Sequence, residues 1–329
     1  MTQLLGSGSQ RRHLICDSST IGAARREAQR LAGEATLDET ASGRLGLIVT
    51  ELATNLMRHA QRGELLLQRV ADTAQGAVEV LAIDRGPGMA DVEKCLRDGY
   101  SSAGSLGNGL GAVRRLATEF ALASAPDRGT VVMARVGARS TARFGAVCIA
   151  CEGESVCGDA WRLALRAEGG GALIVADGLG HGGPAAVAAQ LATDTFVARP
   201  FEPPQMQLER GHHALTGTRG AAVGCAAWDA NSLRYAGIGN IAARLASAES
   251  NRGLVSHNGT LGFQVRRFQQ FEYPVVRGDL LIMHSDGISA RWDAGHYLRA
   301  RHHPALIAGM LYRDHVRGKD DATVVVVHL

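Results

Sequence analysis

The amino-acid sequence predicts an α/β (α+β) protein built as two domains, on three observations. The chain has 329 residues, about twice the size of an ordinary domain. Amphipathic helical stretches and β-type runs are interspersed in both halves. Between the halves, residues 137–143 are small and polar and carry no pattern, so a boundary belongs there. Domains are therefore expected over 1–137 and 143–329.

Composition narrows the function classes. Apolar residues make up 46% and charged residues 20% of the chain, which places it with folded proteins and not disordered ones. Lys+Arg 35 against Asp+Glu 32 leaves a net charge of +3, and neither half is a basic arm or an acidic tail, so no nucleic-acid partner is expected. No apolar run approaches the ~20 residues that span a bilayer, and the N-terminus lacks a signal-peptide core. A cytoplasmic protein without a membrane partner follows. Six cysteines without framework spacing read as free thiols.

In order, residues 19–32 read as a helix, and residues 39–59 as a second whose Ile48, Leu52 and Leu56 form an apolar stripe. Strands are expected over 64–70 and 77–83, the latter running into Asp84-Arg85-Gly86-Pro87-Gly88. A Gly-rich segment, 104–111, then opens a helix with Leu110, Val113, Ala117 and Phe120 on one face. A strand over 130–136 closes the half. The second half reads as strands over 144–150, 172–176, 220–228, 280–284 and 323–328, with helices after Pro184 and around Pro304.

Glycine numbers 41, well above the usual ~7%, and the excess sits in short loops. Glu51 and Asn55, four apart, project from one helix face opposite the Leu52/Leu56 stripe. A carboxylate and a carboxamide so placed suit a base role and Mg²⁺ beside phosphate oxygens, although polar residues on an outer helix face are also the ordinary case. Asp84 at a strand end, with Gly86 and Gly88 behind it, lets the backbone approach a flat ligand while the carboxylate accepts from an exocyclic amine. Gly107, Asn108, Gly109, Leu110 and Gly111 precede a helix, where free N–H groups face phosphate.

The order and spacing of these boxes, with Gly129-Thr130 after them, resemble the GHKL ATPase superfamily. Within it, residues 48–55 and 113–120 are similar to the RsbT-type anti-sigma and switch serine kinases. The likeness spans residues 14–136 and implies a Bergerat α/β sandwich. It also implies ATP and Mg²⁺ as cofactors, Glu51 polarising the attacking hydroxyl, Asn55 holding Mg²⁺, Asp84 reading adenine, and residues 107–111 with Thr130 lining the nucleotide. Two departures stand out: Thr54 replaces the usual Arg, and Gly111-Ala112 replaces the usual Pro-Gly.

In the second half, Asp159, Asp177 followed by Gly178, Asp286, and the pair Asp320-Asp321 all lie beside strands. Each Asp-Gly alone reads as a turn. Several buried like charges are costly unless a cation neutralises them, and oxygen-only ligands select Mg²⁺ or Mn²⁺, two of which can activate water against a phosphate ester. The set resembles the PPM metal-dependent serine/threonine phosphatases, specifically the SpoIIE/RsbX-type branch, over residues 143–329. Residues 235–240 and 278–281 add to the likeness. It implies an αββα sandwich, with Asp159, Asp177, the Gly178 carbonyl, Asp286 and Asp320 as ligands of two Mn²⁺ or Mg²⁺ ions. Residue type alone leaves Asp320 and Asp321 as alternatives; the motif favours Asp320.

Cys148-x-x-Cys151 lies in an apolar run with no second pair at zinc spacing, so neither metal nor redox use is expected. His181 is open between a phosphate contact and solvent. His212, His213, His302 and His303 read as surface residues. Together the resemblances imply a fusion of opposed enzymes, a kinase followed by a phosphatase. Both would act on a STAS-domain phosphoprotein in bacterial partner switching, with a sigma factor or downstream regulator as a further partner. The alternative is a first domain that binds ATP only to sequester or to sense, leaving the phosphatase as the active enzyme.

Overall fold

The computed structural model describes residues 2–6, 9–60, 63–70, 76–96, 109–139, 143–247, 250–298 and 302–329. The chain forms two compact units, Gln10–Thr141 and Ala142–Leu329, the second including Met1–Ser9. The opening strand β1 (Thr2–Leu5) thus belongs to the second unit and not to a first domain over 1–137. It pairs with residues 163–166, and Leu5 is buried there.

The first unit runs β2 (Arg11–Ile15), α1 (Ser18–Glu34), α2 (Glu39–His59), β3 (Gly63–Val70), β4 (Ala77–Asp84), α3 (Val92–Cys95), α4 (Gly109–Leu116), β5 (Glu119–Ser124) and β6 (Thr130–Gly137). Asp17 caps α1, accepting from the N–H groups of Ser19 and Thr20; Asp38 caps α2 through Ala41. The sheet order β2-β3-β4-β6-β5 is antiparallel throughout. Ile48, Leu52 and Leu56 of α2 are buried in one core with Leu65, Leu67, Val80 and Val132 of the sheet. Each such side chain contributes roughly 1.5–3 kcal/mol on burial. The core thereby fixes which face of α2 is left for Glu51 and Asn55.

The helix expected to carry Phe120 ends at Leu116, and Phe120 lies in β5. Its spacing from Ala117 fits a helix, but the Thr118 N–H bonds the Arg135 carbonyl at 2.7 Å and the chain joins the β6 ladder instead. Tertiary pairing overrides local periodicity here.

The second unit continues β7 (Phe144–Ile149), β8 (Asp159–Arg166), β9 (Gly171–Gly178), α5 (Gly183–Ala198), α6 (Pro204–Ala214), β10 (Ala221–Trp228), β11 (Ser232–Ile238), β12 (Ala242–Ala246) and β13 (Asn251–Gly253). It ends with β14 (Gly259–Thr260), β15 (Gln264–Val265), β16 (Phe271–Pro274), β17 (Leu280–His284), α7 (Ala294–Leu298), α8 (Pro304–His315) and β18 (Ala322–His328). Two antiparallel sheets, ordered β1-β8-β9-β10-β11-β16 and β13-β12-β17-β18-β7, make the inner layers. Helices α5 and α6 pack on the first through Ala188, Ala192, Phe196 and Leu208. Helix α8 covers the second so closely that a Cβ on Gly145 would lie 2.1 Å from the Ala305 Cα. The result is the αββα sandwich. His303 is no plain surface residue, since its Nδ1 accepts the Ala305 N–H and caps α8. His212 is likewise half-buried and accepts the Gly262 N–H.

Candidate functional site

Glu51 and Asn55 lie one turn apart on α2, half-buried, and the first residue of α4 sits against both. A Cβ on Gly109 would stand 3.4 Å from the Asn55 amide and 3.5 Å from Glu51 Oε2. The first turn of a helix carries N–H groups with no intrahelical partner, so α4 sets an anion-attracting end beside a carboxylate and a carboxamide. Leu110 and Gly111 continue that turn. Gly107 and Asn108 lie outside the described residues.

Asp84 ends β4, and its Oδ1 accepts from the Gly86 N–H at 2.7 Å and the Thr130 N–H at 3.2 Å. The carboxylate is held by the adjoining loop and by the start of β6. The room left by missing Cβ atoms at Gly86 and Gly88 is taken by the chain itself. A Cβ would lie 2.7 Å from the His59 carbonyl at Gly86 and 1.9 Å from that of Ala125 at Gly88, where φ is also +68°.

In the second unit, Asp159 opens β8 directly opposite Asp177 near the end of β9. Asp286 follows β17, and Asp320-Asp321 precede β18, which pairs with β17 so that both flanks fall at one end of their sheet. The Ser285 hydroxyl donates to Asp159 Oδ2 at 2.6 Å and so joins that end to the β8–β9 sheet. Asn240 Nδ2 donates to Asp286 Oδ2 at 2.7 Å. The Gly178 N–H bonds the Gly158 carbonyl at 3.0 Å.

Charge crowding shows in these acids. Burial, then Asp159, Asp286 and the Asp320-Asp321 pair, push Asp177 up to about 9. Burial pushes Asp159 up to about 7, with Asp321 and Asp320 adding to it against the Ser285 hydrogen bond. Asp286 is raised by burial and by Asp320. Asp321 is raised by burial against the Cys151 N–H. Buried acids that share a field fit a cation better than they fit water.

The donor set fits divalent metal ions: all oxygen, with Asp159 Oδ1 buried and unpartnered. Among the described residues no three His, Cys, Asp or Glu side chains already close into a chelating group. His181 pairs with Glu154, its Nδ1 2.6 Å from Oε1. Cys148 lies next to Cys157, with the sulfurs 3.8 Å apart, both buried.

Residues 17–135 match the family of histidine kinase-like ATPase domains. The serine/threonine-protein kinase RsbT of Bacillus subtilis (strain 168) is 36% identical over 114 residues, covering 35% of this chain and 86% of that protein. The chain belongs to the RsbT kinase family. Behind the RsbT-type half, residues 167–329 match the stage II sporulation protein E family. Among solved structures, one from work on the bacterial stressosome, described there as a modular system adapted to control secondary messenger signaling, aligns with a TM-score of 0.54 at 29% identity. It covers 57% of this chain and 100% of its own. RsbX in complex with magnesium aligns with a TM-score of 0.53 at 22% identity over 58% of this chain and 98% of its own, a likeness of fold. The chain is thus an enzyme of the RsbT kinase type whose second domain has the fold of RsbX. Among the described residues no helix is long and apolar enough to cross a membrane.

The supporting contacts of three residues of the second site escape a reading of sequence. Ser285, fully buried, looks like an ordinary turn residue before Asp-Gly. Asn240 carries a signal only through its place in the resembled stretch 235–240. The buried contacts of Asp321 have no sequence signature at all.

Proposed function

We propose that this chain is a two-way switch enzyme. Its RsbT-type half transfers phosphoryl from ATP to a Ser or Thr of a STAS-domain partner, and its second half removes it, in bacterial partner switching that governs a stress or sigma-factor response. The observation that carries the phosphatase half is the gathering of Asp159, Asp177, Asp286 and Asp320 at one end of the sandwich with charge that calls for a cation. The RsbT family membership and the juxtaposition of Glu51, Asn55 and Gly109 support the kinase half.

In the kinase half, Glu51 orients the acceptor hydroxyl and Asn55 holds Mg²⁺ on the phosphates. The first turn of α4, from Gly109 through Leu110 and Gly111, offers N–H groups to them. Asp84, braced by the Gly86 and Thr130 N–H groups, accepts from the adenine amine.

In the phosphatase half, Asp159, Asp177, the Gly178 carbonyl, Asp286 and Asp320 hold two Mn²⁺ or Mg²⁺ ions. Bound there, such ions activate water and neutralise the ester phosphate. The chain's own part is to fix the carboxylates: Ser285 orients Asp159, and Asn240 orients Asp286. Replacing Asp177 by Ala tests the assignment, with loss of phosphate release from a phosphorylated STAS protein expected while ATP binding persists.

A second reading makes the first half an ATP-dependent sequestering or sensing module. The Thr54 hydroxyl favours it, since it bonds back to the Thr50 carbonyl at 2.7 Å where the resembled kinases carry an arginine. ATP-dependent phosphatase rates without phosphotransfer would mark that outcome.

A further inference from the structure

The paired acids Asp320 and Asp321 differ in surroundings. Asp320 is half-buried, and its Oδ1 accepts the Asp321 N–H at 2.9 Å. Asp321 is 2% exposed. Its Oδ1 accepts the Cys151 N–H at 2.8 Å, 170 residues away in sequence. Its Oδ2 is buried against Gly158, where a Cβ would stand only 2.6 Å from it. The Gly158 carbonyl in turn accepts the Gly178 N–H. The Asp321 carboxylate therefore lies beneath the loop from Cys151 to Gly158, and that loop delivers Asp159 on one side and abuts Gly178 on the other.

We propose that Asp321 is a positioning residue that shapes the 151–158 loop and sets Asp159 and Gly178 for metal, while Asp320 is the ligand. The inference rests on the metal-dependent reading of the second unit. An irregular loop under a buried carboxylate keeps its shape because the carboxylate satisfies a loop N–H that would otherwise be buried unpaired. What the loop needs from Asp321 is an oxygen acceptor of that shape, not a second charge. Ser285 supports Asp159 from the opposite side, accepting the Thr323 N–H at 2.9 Å while donating to Asp159.

The test uses the full-length protein and two readouts. Mn²⁺ binding is followed by electron paramagnetic resonance of free Mn²⁺, and the loop by the rate at which Cys157, 6% exposed, reacts with a thiol reagent, resolved by peptide mass. Asp321→Asn keeps the acceptor oxygen and should bind Mn²⁺ within about twofold of wild type, with Cys157 still protected. Asp321→Ala should weaken Mn²⁺ binding by about tenfold or more, the usual effect of losing a group that orients ligands, and expose Cys157. Asp320→Asn should lose Mn²⁺ as strongly while Cys157 stays protected. Loss of Mn²⁺ in Asp321→Asn equal to that in Asp320→Asn would overturn the proposal, because Asp321 would then be a ligand. Unchanged Cys157 labelling in Asp321→Ala would overturn it as well. Wild-type protein that bound no Mn²⁺ would count against the metal reading itself, and Cys157 labelling would still decide the role of Asp321 in the loop.

Discussion

Asp159 and Asp177 are cross-strand partners in β8 and β9, two acids held opposite each other with no cationic side chain between them in the pairing. Directly opposed like charges weaken a strand pair, so the arrangement costs stability in the metal-free protein and is offset when a cation binds.

That cost has a pH signature. With its folded value pushed up to about 9 against an unfolded value near 3.8, Asp177 binds its proton more tightly in the folded state. The folded form therefore loses stability as pH rises through the window between those values. In EDTA, Asp177→Asn and wild type should melt at similar temperatures near pH 4. The variant should become progressively the more stable as pH rises to 8. A difference independent of pH would contradict the charge account.

Asn55→Ala should reduce phosphotransfer to a STAS protein by about 100-fold or more, on the scale of losing a group that stabilises transition-state charge. Phosphatase activity should stay unchanged, because Asn55 and the acidic cluster belong to separate units. Radiolabel transfer and phosphate release measured on the same preparation check both halves of the statement.

In the first unit, Arg135 and Glu79 are cross-strand partners 1% exposed, joined at 2.7 Å, and Arg135 reaches Glu119 at 3.1 Å. Removing Glu79 takes away the shorter of these two ion pairs and leaves Glu119 to hold the buried guanidinium. Glu79→Ala should destabilise this unit by about 1–3 kcal/mol, read as an earlier urea transition with loss of ATP binding. The Asp177→Ala control should leave that transition in place.

Gly145→Ala should destabilise the second unit by roughly 1–3 kcal/mol, the range for overpacking, because the new Cβ meets the backbone of α8 and not a side chain that can rotate away. Urea unfolding followed by the fluorescence of Trp161 and Trp228 measures it.

How much of this was legible in the sequence depended on whether the signal was local. The span of α2 was, since Ile48, Leu52 and Leu56 mark one face and Asp38 marks the start. So were Asp84, Asp177 and Asp286, because a charged residue closing an apolar run marks a strand end. The start of the chain misled, because β1 has meaning only beside β8, which lies some 160 residues later in the second unit. Phe120 misled because helical spacing persists across the break that β6 imposes. Ser285 and Asp321 act through contacts 126 and 170 residues distant in sequence, and no local pattern encodes those.

In the proposed switch one chain both adds and removes the same phosphate. The most direct measurement incubates Asp177→Ala protein with Mg-ATP and a STAS-domain protein, followed by intact mass. One phosphate gained on a Ser or Thr, then lost on adding wild-type protein with Mn²⁺, is the expected result. No phosphate gained while ATP is bound would contradict it and leave the first unit a sequestering or sensing module.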